Sequence, residues 1–98
     1  MRGSRTGRPI MLLLDVLGQR WTLRILWELR TGAHSFRALR AQCDMISPTV
    51  LNQRLRRLRD LGLVALDESG FALTASGRAL GRRVAALDRW ANDWAQRG

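Results

Sequence analysis

The sequence predicts a mainly α-helical protein with one small β-hairpin, an α+β winged helix-turn-helix fold with terminal dimerisation helices. Three observations support this fold class. Residues 35–61 contain a short helix, a tight turn and a second helix with a polar outer face, which is the arrangement of a helix-turn-helix. Residues 62–73 contain two short apolar strands around a turn, which predicts a hairpin, or wing. Residues 75–96 carry an apolar stripe at helical spacing that is too long for so small a core.

The length of 98 residues suits one domain, which we assign to residues 9–98, preceded by a flexible basic tail at residues 1–8. The formal net charge is +9, and all 17 basic residues are Arg. A field of this sign attracts polyanions such as nucleic acids and acidic proteins. A domain of this size gains stability by pairing with a second copy, so a homodimer is expected.

The chain contains one Cys and one His, which are too few for a metal centre, and no other cofactor is expected. Cys43 occupies an apolar position late in a short helix, so we expect a buried, inert thiol in a reducing compartment. We interpret His34 as a solvated turn residue. No apolar stretch approaches the roughly 20 residues that span a bilayer, so the expected location is cytoplasmic, without membrane attachment.

Two helices are predicted ahead of the helix-turn-helix. The first begins with Pro9, a residue suited to the first turn of a helix, and its apolar residues recur at helical spacing as far as Leu17. Gly18 ends this helix. The second helix is predicted over residues 21–29, because a Thr-Gly pair at residues 31–32 stops it.

The helix-turn-helix is indicated by two capping residues. Ser35 begins a short helix over residues 36–43, and Ser47 begins the next helix, with Pro48 at its first position. One face of the helix after Ser47 is apolar and is expected to pack inward through Leu51, Leu55 and Leu58. The second helix of such a pair is the one that enters a major groove of DNA.

The outer face of this second helix carries amide and guanidinium groups, which match the edges of adenine and guanine in a major groove. The candidate base-reading residues are Thr49, Asn52, Gln53 and Arg56. Candidate phosphate contacts come from the cap hydroxyl and from arginines of both helices, namely Ser47, Arg37, Arg40, Arg54 and Arg57. Arg-rich amphipathic helices also occur on ordinary protein surfaces, so the DNA-binding interpretation depends on the neighbouring elements.

The predicted wing begins with a strand from Gly62, and its return strand at residues 71–73 follows a turn at residues 68–70. Thr74 then caps a helix over residues 75–96, which is roughly 33 Å long. Gly77 and Gly81 in the first turns of that helix are expected to allow close approach of another backbone.

The long helix is expected to pack partly on a second protomer. The predicted dimer contacts are one residue of the first helix and the apolar stripe of the last, namely Leu13, Leu80, Val84, Leu87, Trp90, Ala91 and Trp94. In the alternative arrangement the helix folds back on Leu12 and Leu26 of its own chain. The Trp residues Trp27, Trp90 and Trp94 could line an apolar pocket for a small-molecule effector, although a packed core or interface explains them equally well.

The ordered pattern of these residues resembles the HxlR-type winged helix-turn-helix transcriptional regulators of bacteria and archaea. The resemblance covers about residues 9–80 and includes Leu14-Asp15, Gly18, Trp21-Thr22-Leu23, Ile25-Leu26, Glu28-Leu29, Gly32, Phe36, Leu39, Ile46-Ser47-Pro48, Val50-Leu51, Gln53-Arg54-Leu55, Leu58, Gly62-Leu63-Val64, Leu73-Thr74 and Gly77. It implies a homodimer on a pseudo-palindromic operator, with recognition helices in successive major grooves and terminal helices at the dimer interface.

Two positions depart from the family pattern. Family members often have a Cys just before the proline that opens the first helix, and some sense oxidants or electrophiles through it; here Arg8 occupies that position. Thiol sensing at that site is therefore excluded. The wing is shorter than usual and carries Asp67 and Glu68, whose charges repel phosphate. We therefore expect the wing mainly to brace the helix-turn-helix.

Three other classes of function fit the sequence less well than operator binding. A degenerate winged helix could bind an acidic protein through its basic face, but such a face gains little from an aligned set of base-reading side chains. A single-stranded RNA binder would need exposed aromatic residues for stacking, and the recognition helix has none. The few carboxylates, the one His and the one Cys form no spaced pair or triad that indicates an enzyme.

Overall fold

The structure is a computed structural model that describes residues 7–97 of the chain. Five helices and one antiparallel hairpin follow in the order α1 (Pro9–Leu17), α2 (Thr22–Leu29), α3 (Phe36–Gln42), α4 (Pro48–Asp60), β1 (Val64–Asp67), β2 (Gly70–Leu73) and α5 (Ala75–Arg97). This is the predicted winged helix-turn-helix fold. The predicted tail at residues 1–8 lies almost wholly outside the described residues.

The predicted boundaries differ from the observed ones by one or two residues. Trp21 precedes α2 instead of opening it, because its φ of 80° is left-handed and cannot continue into a right-handed helix. The first strand begins at Val64 and not at Gly62, whose φ of 73° still belongs to the turn after α4. Cys43 is the C-cap of α3 and not its last helical residue.

Three predicted helix caps are formed by side-chain oxygens. The Ser35 hydroxyl accepts a hydrogen bond from the Ala38 amide at 3.0 Å, and the Ser47 hydroxyl accepts one from the Val50 amide at 3.4 Å. The Thr74 hydroxyl accepts from the Gly77 amide at 3.0 Å and donates to the Gly62 carbonyl at 2.6 Å. Each cap satisfies an amide that would otherwise lack a partner, which typically contributes about 1 kcal/mol.

The core lies between α4 and the helices in front of it. The predicted inner face of α4 is completely covered, since Leu51, Leu55 and Leu58 are at most 1% exposed. Apolar residues from every helix up to α4 and from both strands complete this core, namely Leu12, Val16, Ile25, Leu26, Leu29, Leu39, Cys43, Ile46, Val64, Phe71 and Leu73. Burial raises the pKa of the Cys43 thiol, which confirms the prediction of a buried thiol and disfavours its reactive thiolate form.

The wing is a two-stranded antiparallel hairpin in which Val64 pairs with Leu73 and Asp67 with Gly70. Its two-residue loop is closed by the Asp67 carboxylate, which accepts a hydrogen bond from the Ser69 amide at 2.7 Å. Side-chain closure of this kind is a common use of Asp in tight turns. The acidic tip is therefore ordered by its own hydrogen bond.

The interpretation of His34 as a solvated turn residue is wrong. Its backbone exchanges two hydrogen bonds with Phe71, at 2.9 and 2.8 Å, and its ring Nε2 lies 3.0 Å from the Glu28 carbonyl oxygen. The bridge brings the segment before α3 against the wing, where a Cβ on Gly70 would lie 2.5 Å from the His34 carbonyl oxygen. A pairing between residues so far apart in sequence leaves no local pattern, which explains the error.

The first turns of α5 pack on α2 and β2, and Gly77 is buried there. A Cβ on Gly77 would collide with the Leu63 carbonyl, so the prediction of close backbone approach is confirmed at this position. The same prediction is wrong for Gly81, because a Cβ there would meet only the Leu73 side chain at an ordinary 3.6 Å.

The remainder of α5 extends away from the core. Leu87, Trp90 and Trp94 are 56%, 60% and 63% exposed, so they do not fold back on Leu12 and Leu26. This contradicts the single-chain alternative for that part of the helix. No helix within residues 7–97 is long and apolar enough to cross a membrane.

Candidate nucleic-acid interface

The outer face of α4 presents the four predicted base-reading residues together. Thr49, Asn52, Gln53 and Arg56 are all exposed, while the opposite face of the same helix is buried. The four side chains line one surface hollow of about 440 Å³, which Arg57 and Asp60 complete. We call this surface the reading face. Its amide and guanidinium groups offer both donors and acceptors to a base edge.

The charges of the reading face are uneven along the helix. Thr49 and Asn52 lie towards the N-terminal end, where the helix dipole is positive, and Asp60 lies at the C-terminal end. A carboxylate at that end repels phosphate, whereas the N-terminal end favours it. The C-terminal half also carries Arg56, Arg57 and Arg59, so it keeps a net positive charge despite Asp60.

The angle between α3 and α4 depends on a short turn in which both Asp44 and Met45 have left-handed φ values, 57° and 59°. The Arg24 side chain holds this turn by donating to the Gln42 carbonyl at 2.6 Å and to the Asp44 carboxylate at 3.2 Å. It also donates to Glu28 at 2.8 Å, and this hydrogen bond raises the pKa of Arg24. Arg24 thus ties α2 to the turn that sets the direction of α4.

The predicted phosphate contacts differ in how they are held. Arg40 and Arg54 are half-buried and each donates from Nε to a backbone carbonyl, of Ile46 at 2.7 Å and of Arg20 at 2.9 Å. A guanidinium anchored through Nε keeps its four terminal N–H groups for another acceptor. Arg37, by contrast, is exposed and makes no hydrogen bond or ion pair within residues 7–97.

The other two predicted phosphate contacts lie on α4 itself. Ser47 is exposed at the N-terminus of the helix, where its hydroxyl is already engaged as the cap. Arg57 is half-buried at the edge of the reading face. Of the five predicted phosphate contacts, only Arg57 lines the hollow of the reading face.

Two further arginines flank α4, of which helical spacing predicts Arg59 at the side of the helix, suited to phosphates, whereas Arg20 was not predicted. The Arg54–Arg20 hydrogen bond brings the loop between α1 and α2 against one side of α4, and Arg20 is exposed there. On the other side, Arg59 lies in a hollow of about 520 Å³ between α4 and the first strand of the wing. The helical pattern placed Arg59 beside the reading face, but Arg20 depends on a contact across 34 residues that no local signal reveals.

The predicted dimer contacts have different surroundings within one chain, and only Leu80 among them is packed against the core described above. Leu13, Leu80, Val84 and Ala91 are half-buried, whereas Leu87, Trp90 and Trp94 form a largely exposed apolar stripe on α5. The rings of Trp90 and Trp94 stack with 5.8 Å between centroids and an interplanar angle of 9°. Trp27 makes a different contact, because the Arg30 guanidinium lies 3.7 Å above its ring. The three tryptophans that could have lined one effector pocket are therefore engaged in separate contacts.

The chain matches the model of the HxlR-like helix-turn-helix family over residues 16–98. Among its relatives, the HTH-type transcriptional regulator YvaP of Bacillus subtilis is 30% identical over 88 residues, covering 83% of this chain and 82% of that protein. The HTH-type transcriptional regulator MJ0925 of Methanocaldococcus jannaschii is also 30% identical over 88 residues, covering 86% of this chain and 83% of that protein.

Solved structures agree with this relationship. The quinone-bound YodB from B. subtilis superimposes with a TM-score of 0.79 at 27% identity, covering 86% of this chain and 96% of that one. A candidate HxlR family transcriptional factor from Thermoplasma volcanium superimposes with a TM-score of 0.78 at 26% identity, covering 91% and 86% of the two chains. The fold, the helix-turn-helix pattern and these matches agree, and the chain belongs to the HxlR-like helix-turn-helix family of DNA-binding transcriptional regulators, which are not enzymes.

Proposed function

We propose that this regulator binds a pseudo-palindromic operator as a homodimer, with α4 of each protomer in one of two successive major grooves. The observation that carries this proposal is the reading face, where four polar side chains meet on an exposed surface above a fully buried apolar face. A helix with one buried apolar face and one exposed polar face can pack on the protein through the first and enter a DNA groove with the second. A regulator of this kind acts on the chromosome, so we place it in the cytoplasm.

Within this proposal, Thr49, Asn52, Gln53 and Arg56 contact base edges. Arg56 offers two parallel donors to O6 and N7 of guanine, and Asn52 or Gln53 offers a donor and an acceptor to adenine. The residues around the reading face contact the phosphates and fix the position of the helix on the duplex, namely Ser47, Arg37, Arg40, Arg54 and Arg57.

The homodimer is supported by the apolar stripe on α5. Leu87, Trp90 and Trp94 expose more than half of their surface on an isolated protomer, and burying that remaining surface is favourable by about 1–2 kcal/mol each. A second copy offers the same stripe with two-fold symmetry, which is the usual geometry of a small homodimer. The half-buried residues Leu13, Leu80, Val84 and Ala91 are placed at the same interface in this proposal.

An acidic protein remains the rival partner for the basic face. The grouping of amide side chains at the centre of the reading face favours DNA, because carboxylate groups would be recognised by the arginines alone. The acidic wing tip does not take part in either interaction in this proposal, since Asp67 and Glu68 repel both phosphates and carboxylates.

The experiment that tests the proposal is selection of tight binders by the purified full chain from a pool of random duplexes. We expect an enriched site with two inverted half-sites whose centres lie one helical turn apart, about 10 base pairs. Recovery of unrelated sequences without inverted symmetry would contradict both operator recognition and the homodimer. A parallel selection with Asn52→Ala is the control, and it should recover sites with altered base preference at one position of each half-site.

A further inference from the structure

A second cleft, of about 420 Å³, lies between the C-terminal end of α2 and the first half of α5. Its lining residues come from the segment directly after α2, from β2 and from α5, namely Arg30, Thr31, Leu73, Arg78, Gly81, Arg82 and Ala85. We call it the basic cleft. None of its lining residues belongs to α3 or α4, so it is separate from the reading face.

The basic cleft holds three guanidinium groups and no carboxylate. Arg30 is fixed above the Trp27 ring at 3.7 Å and donates to the Trp27 carbonyl at 3.0 Å, and Arg78 donates to the Leu73 carbonyl at 3.1 Å. Arg82 makes no hydrogen bond or ion pair within residues 7–97. All three arginines are exposed to solvent and stay charged, because an arginine does not lose its proton at physiological pH, so together they attract an anion to the cleft.

Apart from Thr31, the remainder of the cleft is apolar. Leu73 and Ala85 line it, and Gly81 contributes no side chain. A Cβ on Gly81 would make only an ordinary contact with Leu73, so the packing of α5 does not require glycine here, and its effect is to leave space. A volume of about 420 Å³ lies within the range of small-molecule sites, roughly 300–1,000 Å³.

The position of the basic cleft argues against DNA as its occupant. The recognition helix meets α2 at the start of that helix, where Arg54 donates to the Arg20 carbonyl. Arg30 and Thr31 follow the other end of α2, about 12 Å further along the helix axis. Arg20 is therefore the arginine close to a duplex bound at the reading face, and Arg30 lies further away.

We propose that the basic cleft binds a small organic anion, in which a carboxylate is held by Arg30, Arg78 and Arg82 and an apolar body lies against Leu73 and Ala85. Such a ligand connects α2 and the wing to α5. Since α5 carries the exposed apolar stripe, a ligand here changes how the reading faces of two protomers are oriented. This regulatory consequence rests on the proposed function, whereas the binding of the anion does not.

The binding step is tested by titrating the full chain with benzoate at constant ionic strength and following backbone amide resonances by NMR. We expect saturable shifts at residues 30, 31, 78, 81 and 82, and much weaker binding of benzamide, which has the same shape without the charge. Arg82→Ala should weaken benzoate binding by about tenfold or more, the typical effect of losing a charge-assisted hydrogen bond. Arg83→Ala is the matched control, because Arg83 is the next residue of α5, is exposed, and donates instead to the Ala79 carbonyl.

Three results would overturn the site: equal binding of benzoate and benzamide, equal loss in the two arginine variants, or inorganic phosphate binding as tightly as benzoate. Gly81→Ala provides a second test that does not depend on charge. It should weaken benzoate binding while leaving the melting temperature unchanged or higher, since alanine favours a helix over glycine. Unchanged benzoate binding in this variant would contradict the placement of the apolar body of the ligand beside Gly81.

The regulatory step is tested separately, by measuring affinity for the selected operator with and without saturating benzoate. Coupling requires that operator binding change benzoate affinity by the same factor as benzoate changes operator affinity. Benzoate binding without any change in operator affinity would overturn the regulatory consequence alone. Failure to bind any operator would instead contradict the proposed function and leave the anion site standing.

Discussion

At the scale of single residues, position on α4 separates recognition of bases from attraction to the phosphate backbone. Arg56 lies within the reading face, whereas Arg37 lies on α3 without a partner in the described part of the chain. Both residues carry the same charge and both are exposed. Any difference between the effects of replacing Arg56 and Arg37 on DNA binding should therefore arise because Arg56 contacts bases and Arg37 contacts phosphates.

Replacing Arg56 with Ala should reduce the preference for operator over random duplex by about 1–3 kcal/mol, because a bidentate contact to guanine is lost. Competition binding with the two duplexes measures this difference directly. An equal loss on operator and random DNA would show that Arg56 contacts only the backbone.

Arg37→Ala is the matched variant for that experiment. It should weaken all sequences alike, and the slope of log K against log salt should become shallower by about 1.8, the value for two phosphate contacts on B-DNA, one lost from each protomer. A selective loss on the operator would show that Arg37 reads bases.

The Cys43 thiol should be unreactive in the folded protein at pH 8. Burial raises its pKa, so the thiolate fraction at that pH is smaller than for a free cysteine, and the side chain is 0% exposed. Ellman's reagent should label it only after unfolding in urea. Stoichiometric labelling of the folded protein within seconds would contradict this account and would indicate a thiol available for sensing.

At the scale of elements, the two glycines of α5 show how similar residues differ in their surroundings. Gly77→Ala should destabilise the protein by about 1–3 kcal/mol, the usual cost of overpacking, because its Cβ would collide with the Leu63 backbone. Gly81→Ala should instead stabilise it by up to about 1 kcal/mol through helix propensity. Urea denaturation of both variants measures the difference, and equal effects would contradict the described packing of α5 against the turn before β1.

The sequence was sufficient for features that depend on nearby residues. The caps at Ser35, Ser47 and Thr74 and the inner face of α4 follow from spacing within one helix, and so does the grouping of the reading face. The bridge from His34 to Phe71 and the hydrogen bond from Arg54 to Arg20 join distant segments, so their residues carry no periodic signal. The same reason explains why Gly77 and Gly81 could not be told apart beforehand.

The hydrogen bonds of Arg24 could not be predicted from the sequence either. Arg24 is one of 17 arginines, and only the fold shows that it meets Gln42 and Asp44 at the turn between α3 and α4. The basic cleft is a similar case, because Arg30 follows α2 whereas Arg78 and Arg82 lie on α5, far away in sequence. Charged residues are therefore the part of this chain whose roles most require the structure.

At the scale of the whole molecule, the apolar stripe of α5 and the reading face of α4 require each other, since two reading faces span two half-sites only in a dimer. Trp90→Glu should convert the dimer to a monomer with unchanged helix content, because Trp90 is 60% exposed on the protomer and its loss does not disturb the core. Analytical ultracentrifugation and circular dichroism measure the two properties. A Trp90→Glu protein that sediments as a dimer would place the interface elsewhere.

Operator recognition by a homodimer is best measured by binding of the full chain to a selected operator and to a random duplex across a range of salt, with the mass in solution recorded. We expect a dimer of the 11.1 kDa chain that binds the operator at least about a hundredfold more tightly than random DNA, with affinity falling steeply as salt rises. A monomer, or a dimer that binds both duplexes with equal affinity, would contradict this expectation.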